Sequence, residues 1–141
     1  MTSMTKKPRS TEQTDGATWV AVGQSNDLVP DGGVGARLGD QHVAIFWLPS
    51  EQDALYALSN FCPFSNAHIL ARGIVGDLGG EPVVASPLYK QHFSLRTGQC
   101  MEDESVRVTV WPVRLKEGVI EVFNQPVAAQ NLNATNEEAA A

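Results

Sequence analysis

Short apolar runs separated by glycine-rich punctuation recur from Thr18 to Phe123. Trp19-Val20-Ala21-Val22 predicts an opening strand, and Pro30-Asp31-Gly32-Gly33 a turn. Val34–Leu38 and Gln41–Leu48 flank Gly39-Asp40, a spacing that predicts a hairpin. Leu55–Leu58, Pro82–Ala85 and Phe93–Leu95 are further short strands. Val106-Arg107-Val108-Thr109-Val110 alternates apolar with polar positions, as a half-buried strand does. Val113–Leu115 and Val119–Val122 flank Lys116-Glu117-Gly118 and predict a last hairpin. A short helical turn is placed at Asp27-Leu28-Val29. The sum is an all-β fold, a small sandwich or barrel of short antiparallel strands.

The periodicity stops at both ends. Residues 1–17 are rich in Thr, Ser and Lys, and residues 124–141 in Ala, Asn, Gln and Glu, so both are expected to be disordered tails around a domain at 18–123. Gly33-Val34-Gly35 with Gly39 does not make a dinucleotide fingerprint, because it lies between a turn and a hairpin rather than between a strand and a helix.

Composition narrows the partners. At 141 residues with 43% hydrophobic positions, one packed domain is expected. A net charge of −6 argues against binding nucleic acid, which requires a basic face, and against docking on an anionic membrane. No apolar run is long enough to span a bilayer, and no apolar segment follows the basic residues near the start, so a cytoplasmic protein with two reduced cysteines is expected. The three tryptophans, Trp19, Trp47 and Trp111, fall on or beside strands and are expected to pack in the core or at its rim. His42 opens a hairpin strand and is expected to be exposed.

The candidate chemistry sits in two loops, each preceded by a β-type run: Cys62-Pro63-Phe64-Ser65, and the stretch from Ser86-Pro87-Leu88-Tyr89 to Leu95-Arg96-Thr97-Gly98. Their frame resembles the Rieske domain, whose loops carry C-x-H and C-P-x-H followed by a Phe-x-Leu-x-Thr-Gly tail. That resemblance makes Cys62, Phe64, Ser86 and Tyr89 the four ligand positions, of which Cys62 alone keeps its donor. A Rieske centre needs two thiolates on one iron and two imidazoles on the other. A phenyl ring has no donor atom, and the oxygens of Ser86 and Tyr89 are hard donors unsuited to the cluster. Phe64 and Tyr89 are expected to fill the cluster's volume as apolar packing. Cys62, His68, His92 and Cys100 form a zinc-type set by residue type, but they lack the tight C-x₂-C and H-x₃-H spacings, so no metal is expected. Glu102-Asp103-Glu104 reads as a solvated turn, and no catalytic constellation is spaced interpretably.

The residues from Ser59 to Glu104, with Leu38-Gly39-Asp40 and Val43-Ala44-Ile45-Phe46 upstream, resemble the small subunit of assimilatory NAD(P)H-dependent nitrite reductase. The resemblance implies a Rieske fold without a cluster and no cofactor in this chain. It also implies a large-subunit partner carrying FAD, an iron–sulfur cluster and siroheme, which reduces nitrite to ammonium. Docking is then expected through the former cluster tip, at Ile69, Leu70, Leu88, Tyr89 and Lys90. The alternative is a Rieske-type [2Fe-2S] ferredoxin passing electrons to an oxygenase, against which the missing ligands weigh.

Overall fold

The computed structural model describes residues 17–88 and 90–127. The disorder expected at residues 1–16 and 128–141, and every expectation for Tyr89, fall outside the described residues. Twelve strands run in chain order among the described residues: β1 Trp19–Gln24, β2 Gly32–Leu38, β3 Gln41–Leu48, β4 Ala54–Ser59, β5 Phe61–Cys62, β6 Ala67–His68, β7 Ile74–Leu78, β8 Glu81–Ala85, β9 His92–Ser94, β10 Val110–Trp111, β11 Val113–Lys116 and β12 Val119–Phe123. They form sheets ordered β10-β4-β3-β2, β11-β12-β1 and β9-β8-β7, with β5 and β6 as a separate hairpin. The paired strands are antiparallel throughout.

Strand β3 shows why the sequence folds this way. Its residues from Val43 to Phe46 are all buried, and Leu48 is 5% exposed, because the sheet is covered on both faces. Val43 and Ile45 pack with Leu38, Ala57, Trp111, Ile120 and Val122. Ala44, Phe46 and Leu48 face the other way, into a cluster with Leu58, Cys62, Leu70, Val84, Phe93 and Val110. The second cluster lies directly beneath the two loops. A strand buried on both faces reads as a continuous apolar run rather than an alternation, as here.

Both predicted hairpins form, with Leu38 opposite Gln41 and Lys116 opposite Val119. The helical turn is a 3₁₀ turn at Ser25–Asp27, slightly earlier than expected. The alternation from Val106 to Val110 shows in burial, since Val108 and Val110 are buried and Arg107 and Thr109 exposed. It is not one strand, because its backbone bonds are divided among Gly98, Gln99 and Ser59 instead of following a single ladder. Strand β7 is an addition to the sequence reading: Ile74 and Leu78 are exposed, so no buried stripe marks it, and the Gly79-Gly80 turn joins it to β8. On the C-terminal side Asn124 and Val127 still donate backbone bonds to Thr18 and Val110, so contact with the body extends past Phe123. Among the described residues, no helix is long and apolar enough to cross a membrane.

Candidate functional site

The first loop is closed at its base by Asn60. The Asn60 N–H donates to the His42 carbonyl at 2.8 Å, its carbonyl accepts from Leu70 N–H at 3.0 Å, and its side-chain oxygen accepts from Ala71 N–H at 2.6 Å. These three bonds tie both ends of the loop to β3. At the tip, Asn66 adopts a left-handed backbone (φ 59°) and donates to the Cys62 carbonyl. The second loop is closed by Ser86 N–H to the Gln91 carbonyl at 2.8 Å and Lys90 N–H to the Ser86 carbonyl at 3.0 Å, with Lys90 also left-handed (φ 67°).

The Ser-Leu-Arg-Thr-Gly stretch after it folds as a tight turn around one hydroxyl. Ser94 Oγ accepts from the N–H groups of Arg96 and Thr97, each at 3.1 Å, and donates to the Glu81 carboxylate, which Arg96 also faces at 3.6 Å. Gly98 ends the turn at φ +79°, where a Cβ would lie 2.1 Å from the Val108 carbonyl oxygen. Glycine is required there by both conformation and space.

The loops meet at Gly73. A Cβ at this position would lie 2.3 Å from the Ala85 carbonyl oxygen and 2.7 Å from a Val84 methyl. The chain leaving the first loop thus lies against the residue that precedes the second.

This closure brings two of the ligand-position residues together. Cys62 and Ser86 are fully buried, with Sγ 3.3 Å from Oγ across the two loops. Burial raises the Cys62 pKa, but the polar groups of Ser65 and the bonded hydroxyl of Ser86 outweigh it and hold the thiol below its ordinary value. Phe64 packs partly buried on the cluster beneath, its ring centroid 6.1 Å from that of Phe93. Among the described residues the site therefore presents one thiol, one hydroxyl and a phenyl ring. That set does not fit a Rieske [2Fe-2S] group, which takes two thiolates and two imidazoles.

Nor do the zinc-type residues converge. Among the described residues no three His, Cys, Asp or Glu side chains are grouped to hold a metal. His68 stacks on His42 at 4.1 Å, so His42 is half-buried under a ring rather than freely exposed as the sequence suggested. Slight burial, then His68 and Arg37, lower the His42 pKa. His92 Nδ1 meets Glu102 at 2.6 Å, and the other Glu102 oxygen accepts from His92 N–H. Glu102 therefore holds the exit of the second loop, and its bonds with His92 outweigh desolvation and lower its pKa. Burial raises the pKa of Cys100, which also reaches Glu102.

Of the expected docking residues, Leu88 is 61% exposed and Lys90 is exposed. Leu70 is a correction: it is fully buried in the cluster beneath the loops, because the 3₁₀ turn Leu70–Arg72 points it inward, and it can present nothing to a partner. Ile69 is half-buried against the same cluster. Sequence reasoning missed Asn60, Gly73 and Glu102 as the residues that set the loops. The close approach at Gly73 leaves no periodic signal.

The fold and the loop pair define a Rieske-like domain. A family model described as a Rieske-like [2Fe-2S] domain matches residues 18–123. The small subunit of nitrite reductase (NADH) from Escherichia coli strain K12 is 43% identical over 104 residues, 74% of this chain and 95% of that protein. The solved structure of the Escherichia coli protein NirD superposes with a TM-score of 0.70 at 41% identity, covering 77% of this chain and 98% of that one. A nitrite reductase [NAD(P)H] large subunit from Klebsiella oxytoca contains a stretch 41% identical over 112 residues, which is 79% of this chain and 11% of that much longer protein. The chain belongs to the Rieske-like family of nitrite reductase small subunits.

Proposed function

We propose that this chain is a non-redox accessory subunit of a cytoplasmic NAD(P)H-dependent nitrite reductase serving nitrate assimilation. The observation that carries the reading is the pair of former ligand positions, where a buried Cys62 thiol meets a Ser86 hydroxyl beneath Phe64. The chain keeps the scaffold of an electron carrier without the donors to carry electrons. Its contribution is contact: it docks on the large subunit, which holds the redox groups and reduces nitrite to ammonium, and this chain binds no cofactor of its own.

The Klebsiella oxytoca relative supports the choice of partner. In that protein a domain similar to this chain is part of one polypeptide named as the large subunit. A domain covalently joined in one relative and separate in another fits an assembly in which the two parts touch. The proposed contact residues are Leu88 and Lys90, both exposed on the second loop, with the half-buried Ile69 that follows the first loop; Tyr89 lies between Leu88 and Lys90 in sequence and belongs to the same proposal. The negative net charge gives no nucleic-acid or membrane partner a foothold.

The test is size-exclusion chromatography of the chain with its large subunit, alongside nitrite-dependent NAD(P)H oxidation. Co-elution, with no activity from this chain alone, is expected. Turnover by the isolated chain, or failure to associate at micromolar concentration, contradicts the reading.

A further inference from the structure

The sheet β9-β8-β7 ends in an open edge. Because the Gly79-Gly80 turn has two left-handed residues (φ 59° and 92°), Leu78 and Glu81 form its closing hydrogen-bonded pair. Hydrogen-bonded pairs alternate along an antiparallel ladder, so Gly76 opposite Val83 and Ile74 opposite Ala85 also bond inward. The N–H and C=O groups of Val75 and Asp77 therefore point away from the sheet, and no strand lies beyond them among the described residues. The opposite edge of the sheet is already covered: Ser94 N–H bonds the Gln99 carbonyl, and Met101 N–H bonds that of His92.

Native edges are usually blunted by lysine, proline or a bulge. Strand β11, an edge elsewhere in the fold, carries Arg114 and Lys116. Strand β7 reads Ile-Val-Gly-Asp-Leu, and its one charge, Asp77, turns back to accept from Gly80 N–H at 3.1 Å. Ile74 is 69% exposed and Leu78 41% exposed, on the same side of the strand. Between them Gly76 leaves open space where a side chain would stand. The result is an apolar notch along an unpaired backbone.

We propose that an extended, uncharged segment of the nitrite reductase large subunit adds to β7 as a fourth strand, with an apolar side chain seated over Gly76 between Ile74 and Leu78. This rests on the subunit reading above and deepens it. Three observations select this occupant. The Klebsiella oxytoca protein carries a similar domain within its large-subunit polypeptide. The edge is continuous with the proposed tip contact: Ile74 follows Gly73 out of the first loop and pairs with Ala85, the residue before the second. Four of the six exposed large apolar side chains among the described residues, Ile74, Leu78, Leu88 and Met101, lie on this sheet and the segments bonded to it. An edge whose single carboxylate is bonded within its own turn calls for main-chain bonds and apolar contact rather than an ion-paired partner.

The test combines hydrogen exchange with binding, using full-length chain and full-length large subunit. In the free chain the Val75 and Asp77 amides, which face away from the sheet, are expected to exchange rapidly, and in the complex at least tenfold more slowly. The double variant Ile74→Lys/Leu78→Lys is expected to bind at least tenfold more weakly with an unchanged circular dichroism spectrum. If that variant fails to fold, the exchange result on the wild type decides. Wild-type binding without protection at Val75 and Asp77, and with no loss in the folded variant, overturns the edge contact while leaving the subunit reading standing. No wild-type binding overturns both. Protection that arises from self-association of the chain, independent of the large subunit, assigns the edge to a second copy and overturns the proposal.

Discussion

Replacing Gly73 by alanine tests how the two loops are held. The backbone there is φ −74°, ψ 174°, which alanine adopts freely, so the change adds one methyl group and no conformational strain. That methyl would sit 2.3 Å from the Ala85 carbonyl oxygen and 2.7 Å from Val84 Cγ2. The carbonyl belongs to a strand paired on both sides, and Val84 is fully buried, so neither can retreat alone. Overpacking of this kind costs roughly 1–3 kcal/mol, and the upper part of that range applies because one neighbour is backbone. Loss of glycine's freedom in the unfolded chain returns roughly 0.4–1 kcal/mol. The net is a destabilisation of about 2 kcal/mol, or roughly 8–16 °C in melting temperature for a domain of this size. Differential scanning calorimetry measures it. Gly76→Ala is the internal control: it makes the same chemical change three residues on, where nothing lies within 4 Å of the added carbon. That variant is expected to melt within a few degrees of the wild type. Equal melting temperatures for Gly73→Ala and the wild type would refute the close approach that locks the loops together.

Leu88→Asp is expected to weaken the complex with the large subunit while changing domain stability by about 0.5 kcal/mol or less, since Leu88 is 61% exposed; co-elution with circular dichroism as control reads both. Leu70→Ala should do the reverse, lowering stability by roughly 2–5 kcal/mol in urea titrations, because its side chain is fully buried. The Glu102 carboxyl has its pKa lowered in the folded state, so the stability it contributes is present above the ordinary glutamate value and is lost as pH falls through the lower folded value. Urea midpoints measured from pH 5.5 down to 3 should therefore fall more steeply for the wild type than for Glu102→Gln; parallel curves would mean the carboxylate contributes nothing to holding His92.

Much of the fold was legible because the strands that carry the core announce themselves. The run from Val43 to Leu48 is apolar on both faces of a covered sheet, and the two flanking hairpins are marked by Gly39-Asp40 and Glu117-Gly118. Strand β7 was not legible, because it is an edge whose large side chains face outward and leave no buried stripe. The segment from Val106 to Val110 misled in the opposite sense: its alternation is real, but the backbone serves several partners in turn. At the site, the missing donors could be read directly from Phe64 and Ser86, and the meeting of Cys62 with Ser86 follows from the loop frame. Leu70 could not be placed, because one 3₁₀ turn decides whether it faces the partner or the core.

The central claim is that this chain supplies contact and carries no electrons. It is tested most directly by the iron and acid-labile sulfide content of the chain purified anaerobically, with its visible spectrum recorded before any exposure to air. The expected result is a colourless protein with no iron or sulfide above background, because Cys62 stands beside Ser86 and Phe64 where a cluster needs a second thiolate and imidazoles. Iron and sulfide each near two per chain, with the absorption bands of a [2Fe-2S] centre, would contradict it.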